Sequence, residues 1–356
     1  MKKIIITGVT GQDGSNMVDY LLKTTTHTII GGARRLSVKN HKNIEHLENE
    51  ERFFLIDLDV TDAQNIDKVI EEHKPDYFIN FAANSFVGTS WKMPVNHMQT
   101  NCMAVLHQLE SIKKHCPECR YYNAGSSEEF GDVIYEPQTE EHPLRPRSPY
   151  GASKCAARHL IKVYKDSYDL YAVQGWLFNH EGVRRGEEFV TRKITKNVAR
   201  IAYDYANGGQ PFKPLKLGNV DSKRDWSDSE DFMDGIWRML NQEEYWTKVW
   251  KSKPDDYILS SDQIHSIKQF AEEAFNCAGF HRSVCRWEGY GKDAKYYHGD
   301  DLLIEIDPQF YRPAEVDLLW GDSRRAREEL GWNPQTSFSQ LVQKMVDNDL
   351  AEVNSN

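Results

Sequence analysis

Cysteine is scarce: six residues in 356, at positions 102, 116, 119, 155, 277 and 285. That is too few for a disulfide scaffold at this length. The one close pair, Cys116-Pro-Glu-Cys119, has neither a second such pair nor a nearby histidine pair to complete tetrahedral zinc, so no metal site is expected. Long apolar runs are missing too. None approaches the roughly 20 residues of a membrane-spanning helix. The longest early run, residues 4–6, is too short for a secretion signal, which makes a cytoplasmic location the expectation. Positive charge is in deficit, with 44 Lys plus Arg against 54 Asp plus Glu and a net charge of -10. A field of that sign repels nucleic acid and anionic membranes, so neither is an expected partner. Any phosphorylated ligand must be held by local basic clusters. With 39% hydrophobic residues and a mean hydropathy of -0.68, the surface must be polar. Nine tryptophans and 12% aromatic residues nevertheless argue against disorder. Only the tail, 352–356, reads as unstructured.

What is present is a regular alternation. Strands are predicted at 3–7, 27–31, 52–57, 77–81, 121–124 and 172–178. Helices are predicted at 15–23, 63–72, 94–115 and 149–168. Such βαβ alternation predicts an α/β fold, a Rossmann-like doubly wound parallel sheet covered on both faces by helices. After residue 179 the pattern loosens, with helices predicted at 191–205, 229–241, 266–278, 323–330 and 338–349. This half reads as a smaller α/β substrate lobe.

Gly8-Val9-Thr10-Gly11-Gln12-Asp13-Gly14 follows the first strand and opens a helix. In that context glycines permit a tight turn, let backbone approach a pyrophosphate, and leave helix N–H groups to hold it. The second strand should end near Gly31 or Gly32. An acidic residue there would hold the ribose 2′-hydroxyl of NAD. Here Arg34 and Arg35 follow instead, and two guanidinium groups suit a 2′-phosphate, which favours NADP.

Tyr150-Gly-Ala-Ser-Lys154 sets a phenol and an ammonium on one face of a helix. Lys154 is expected to lower the phenol's pKa, so that Tyr150 serves as a base near neutral pH. Upstream, at the carboxyl end of a strand, lies Gly125-Ser126-Ser127-Glu128-Glu129. A hydroxyl and a carboxylate there can polarise and deprotonate a substrate. Glu128 is the better base, and Glu129 reads as solvated.

These motifs resemble the extended short-chain dehydrogenase/reductase superfamily. The sharper resemblance is to its GDP-mannose 4,6-dehydratase family. It rests on TGVTGQDGS (7–15), RSPYGASK (147–154), LFNHE (177–181), RRGEEFVTRKI (184–194), LGN (217–219), KRDW (223–226) and YRPAEVD (311–317). The resemblance implies an NADP-binding domain over 1–178, with parts of about 215–240 returning to it, and a mainly GDP-sugar-binding lobe over 179–356. It implies a redox-neutral loss of water from GDP-mannose or a close GDP-sugar. In that scheme Tyr150 and Lys154 assist oxidation at carbon 4, Glu128 removes the carbon 5 proton, and hydride returns to carbon 6. Ser126 stands in for the family's active-site threonine. By position, Asp59, Val60, Ala82, Ala83, Ser85, His180 and Arg185 would contact the cofactor. Asn179, Lys193, Arg224, Arg312 and Glu315 would line the sugar-nucleotide site. Asn96 stands where the family carries a cofactor-contacting tyrosine. Helices 94–115 and 149–168 would pair between subunits, giving a homodimer or, through the loop after Arg35, a homotetramer.

Overall fold

The computed structural model describes residues 1–38, 40–208, 212–245, 251–310 and 318–355. Its first half runs β1 (Lys3–Thr7), α1 (Gln12–Thr24), β2 (Thr28–Ala33), β3 (Phe53–Asp57), α2 (Ala63–His73), β4 (Tyr77–Asn80), α3 (Val87–Ser90), α4 (Pro94–Met98), α5 (Ala104–His115), β5 (Arg120–Ala124), α6 (Pro149–Tyr168), β6 (Ala172–Leu177) and β7 (Asn179–Glu181). The second half adds α7 (Val190–Ala206), β8 (Leu215–Leu217), β9 (Lys223–Asp228), α8 (Ser229–Leu240), β10 (Ile258–Leu259), β11 (Ile264–Ser266), α9 (Ile267–Cys277), β12 (Cys285–Glu288), β13 (Lys295–His298), β14 (Asp301–Ile306), β15 (Leu318–Leu319), α10 (Arg324–Leu330) and α11 (Phe338–Ser355).

Seven strands form a wholly parallel sheet in the order β10-β6-β5-β4-β1-β2-β3. The β1 strand is buried Ile4, Ile5 and Ile6, as a strand covered on both faces must be. Winding reverses between β1 and β4, and the crevice at such a reversal is where ligands bind. One face packs Ile4, Ile6 and Val9 against Met17 of α1 and Phe232, Ile236 and Met239 of α8. The other packs Ile5 and Phe78 against Ile66 of α2, Leu109 of α5 and Ile161 of α6. So α8 and β10 return to the large sheet, although both come from the second half of the chain.

The rest of the second half has its own core. Strands β12-β13-β14-β8 make one small sheet, while β11-β9-β15, with β7 paired to β9, make another. Ile194 and Val198 of α7, Phe270 and Phe275 of α9, and Leu341 and Met345 of α11 pack together over them.

The predicted helix and strand cores of the first half match the structure to within a few residues. The α6 bounds follow from local chemistry: Ser148 Oγ accepts from the Gly151 N–H at 3.0 Å, Pro149 occupies the first turn, and Asp169 ends the helix in the left-handed region. Two expectations are corrected. The helix over 94–115 is interrupted by a π turn at Gln99–Met103. The tail is helical through Ser355, because Glu352 pairs with Lys42, Lys196 and Arg192.

Candidate active site

A cavity of about 1080 Å³ opens at the carboxyl ends of the large sheet and extends into the second half. At one end lies the glycine turn. Gly8 has φ +67°, and a Cβ there would sit 2.7 Å from the Ala82 nitrogen; one on Gly14 would sit 2.4 Å from the Gly8 carbonyl oxygen. Space therefore demands glycine at both, and the turn stays open for a pyrophosphate at the α1 N-terminus. Asn43, also on the cavity wall, fastens the turn: its Nδ2 donates to the Thr10 carbonyl at 3.0 Å. Gln12 Nε2 donates to Asp13 Oδ1 and to the His180 carbonyl, while Gln12 Oε1 is buried with no protein partner. The chain's own residues thus fit a dinucleotide.

Gly8, Thr10, Gly11, Gln12, Asp13, Gly14, Arg34, Asp59, Val60, Ala82, Ala83 and Ser85 all line this cavity. Arg35 does not. Consecutive residues leaving a strand point to opposite sides, and Arg34 takes the cavity side. Asn84 adds a junction: it donates to Asn96 Oδ1 at 2.6 Å and to Thr100 Oγ1 at 3.1 Å. Asn96, in the tyrosine's place, is therefore engaged in holding the wall.

The middle of the wall carries the reactive side chains. Ser126, Glu128, Tyr150 and Lys154 line it together. Ser126 caps the short turn Ser127–Glu129, its hydroxyl accepting from the Glu128 N–H at 3.2 Å. Burial pushes the Tyr150 phenol well above its ordinary pKa; hydrogen bonding to Ser126 pulls the other way, and the Glu128 charge adds to the rise. Lys154 is 3% exposed, and burial holds its ammonium down at about 8. Its Nζ donates to the Ala124 carbonyl at 2.7 Å and lies 5.9 Å from the Tyr150 ring centre. The two side chains share a helix face as their spacing predicts. The phenol is nonetheless not lowered in the protein alone, because the ammonium turns to the carbonyl and burial dominates.

Glu129 corrects the sequence reading outright. It is fully buried, and it forms an ion pair with Arg158 at 2.6 Å. It also accepts from the Ser126 N–H at 2.8 Å and from Gln174 Nε2 at 3.0 Å. Adjacent carboxylates thus face opposite ways: Glu128 into the cavity, Glu129 into the scaffold. The signal was in the sequence, since Ser126-x-x-Glu129 is a capping box.

Further along, Asn179, Arg185, Lys193 and Arg224 line the wall, while His180 reaches back to the glycine turn and meets Asp13 at 2.9 Å. Lys193 Nζ lies 3.3 Å from the Phe310 ring centre, and Arg185 stacks on Phe189 at 3.5 Å. Phe189 in turn meets Phe86 edge-on across the cavity, at 5.8 Å. Among the described residues, three buried polar atoms here lack a hydrogen-bond partner: Asn179 Oδ1, Ser222 Oγ and Arg185 Nε, the last of which is ion-paired with Glu181 at 3.0 Å. Arg312 and Glu315 lie outside the described residues. No group of three or more metal-ligating side chains occurs among the described residues, and all six cysteines are free thiols.

Comparison with known proteins places this geometry. The fold is that of dTDP-glucose 4,6-dehydratase from Bacillus anthracis in complex with NAD, with TM-score 0.77 and 21% identity over 100% of this chain and 98% of that one. RMD from Pseudomonas aeruginosa, complexed with NADPH, gives TM-score 0.74 and 21% identity over 99% and 100%. In sequence, GDP-mannose 4,6 dehydratase 2 of Arabidopsis thaliana is 38% identical, covering 98% of this chain and 87% of its own length. A model of the family described as GDP-mannose 4,6 dehydratase matches residues 5–345. With a family match that leaves out only the chain's two ends and a relative 38% identical over 98% of it, this chain belongs to the GDP-mannose 4,6-dehydratase family.

Proposed function

We propose that this chain is a hydro-lyase that converts GDP-mannose to GDP-4-dehydro-6-deoxy-mannose with NADP as cofactor. One observation carries the reading: a carboxylate, Glu128, stands in the same cavity wall as a Tyr–Lys pair and a hydroxyl. A plain reductase has no use for that carboxylate. Tyr150 takes the proton of the 4-hydroxyl, and Lys154 offsets the charge the phenol then carries. Ser126 hydrogen-bonds the 4-oxygen. The 4-ketone acidifies the proton on carbon 5, Glu128 removes it, and water leaves from carbon 6. When bound, the nicotinamide supplies the acceptor and donor of the hydride. Arg34 on the wall, with no acidic residue at the end of β2, supports NADP over NAD. Asn179, Lys193 and Arg224 suit the diphosphate and sugar of the substrate.

A homodimer or homotetramer belongs to the same reading. Val95, Met98 and Met103 on the α4–α5 stretch, and Val163 and Tyr168 on α6, are exposed. A cytoplasmic location is supported by six free thiols. The test is incubation with GDP-mannose and one equivalent of NADP, with a GDP-heptose as comparator, read by mass spectrometry. A GDP-mannose product lighter by one water is expected. No loss of water from GDP-mannose overturns the reaction, and tighter binding of NAD than NADP overturns the cofactor.

A further inference from the structure

We infer that the Asp13–His180 ion pair cancels a negative charge built into the phosphate-binding turn, and that His180 thereby sets the affinity for the dinucleotide's pyrophosphate. The inference rests on the cofactor reading above and deepens it. Asp13 is the second residue of α1. Helix N–H groups and the helix dipole favour an anion there. A carboxylate in the first turn is itself such an anion, so it competes with a pyrophosphate for the same helix end.

The geometry of His180 answers that charge. Its Nε2 meets Asp13 Oδ2 at 2.9 Å, and its Nδ1 meets the Phe178 carbonyl at 2.8 Å. A carbonyl only accepts, and so does an ionised carboxylate. Both ring nitrogens must then carry protons, which makes the ring an imidazolium. The other carboxylate oxygen is taken by Gln12 Nε2 at 3.0 Å. The pair is enclosed, with side-chain exposures of 12% for His180 and 21% for Asp13. The groups facing the ring are Asp13 of α1, Arg185 of the loop after β7, the Phe178 carbonyl, and the Phe232 ring of α8, at 4.8 Å. Burial works against charge on His180, and Asp13 overcomes it, so the imidazole titrates above its ordinary range. His180 comes from β7 and Asp13 from α1, so two elements far apart in the chain are joined at the turn.

Three variants test this: His180→Gln, Asp13→Asn, and both together. NADP affinity is measured by calorimetric titration and folding by thermal melting. His180→Gln should bind NADP at least about tenfold more weakly than wild type, as expected for a partly buried charge left unneutralised. Adding Asp13→Asn should recover most of that loss. A double variant as weak as His180→Gln, or a His180→Gln that binds like wild type, overturns the inference. Should His180→Gln fail to fold, Asp13→Asn alone decides. Wild-type affinity should fall as pH rises through the titration of His180, while that of Asp13→Asn stays level. Parallel pH curves overturn the inference. A wild type that binds no dinucleotide overturns the cofactor reading along with it, whereas binding without rescue overturns this inference alone.

Discussion

In the part of the cavity built from β1, β2 and α1, most buried polar groups already hold one another: Asn43 holds Thr10, His180 holds Asp13, and Thr7 holds Asn80. Gln12 Oε1 is the exception. In the part built from β7, α7 and β9, Asn179 Oδ1 and Ser222 Oγ stand buried without protein partners, and the Lys193 ammonium rests on an aromatic ring. Leaving a buried polar atom unsatisfied costs about 1–3 kcal/mol. The first part is therefore preformed, which suits a cofactor that is used and regenerated in place. The second is completed only by what enters it, which suits a substrate that comes and goes.

The sharpest tests strike the wall between these parts. Tyr150→Phe should slow turnover by about 10²-fold or more, with no reduced cofactor detectable by absorbance. Glu128→Gln should lose product to a similar extent yet accumulate reduced cofactor on the enzyme, since oxidation at carbon 4 remains possible. In deuterated water the wild type should place deuterium at carbon 5. Normal turnover by Glu128→Gln would remove Glu128 from the reaction.

Next in size is Glu129→Gln. It removes one of the two carboxylates that hold the buried Arg158 guanidinium, leaving Asp256 at 2.8 Å, and should cost about 1–3 kcal/mol of stability, read by denaturant unfolding. Reduced cofactor should not accumulate in whatever remains folded. If it does, the division of labour between the two adjacent carboxylates is wrong.

A pH profile follows from Lys154. Its ammonium, held at about 8, loses its proton as pH rises through that value. Activity should fall over the same interval. Lys154→Arg keeps its charge there, so its alkaline limb should move upward; an unmoved limb would assign that titration to another group.

The smallest effects separate the two parts directly. Ser222→Ala should raise the KM for GDP-mannose about three- to tenfold and leave kcat and NADP affinity nearly unchanged. Asn43→Ala should do the reverse, weakening NADP binding about tenfold with the KM unchanged. If both variants move the same constant, the comparison between the two parts breaks.

The parallel sheet was legible because β-branched runs, glycine punctuation and amphipathic helices agree with one another along residues 3–177. The glycine turn and the Tyr150/Lys154 pair could be placed for the same reason: each sits at a junction between elements that the pattern marks. The strands after residue 179 were not legible. They run two to six residues and carry charges such as Lys216, Arg286 and Glu305, so no alternation stands out. Glu129 was misread because charge usually signals solvent, and its partners Arg158 and Gln174 lie far along the chain. The π turn leaves no mark in the periodicity, because a single extra residue shifts the apolar pattern less than two turns of helix blur it.

That π turn carries a consequence for how the sequence can vary in length. It amounts to one residue inserted into an otherwise regular helix between Pro94 and His115. Deleting one residue between 99 and 103 would restore a uniform helix and improve its backbone geometry. The flanking α4 and α5 would keep nearly their present faces, because the widened turn already absorbs its extra residue locally. The change would fall on the turn itself, where buried Asn101 donates to the Asn84 carbonyl and to Ser153 Oγ, each at 3.1 Å. A one-residue gap in this short stretch should therefore leave both helices in place and cost only the bonds that the turn makes to its neighbours.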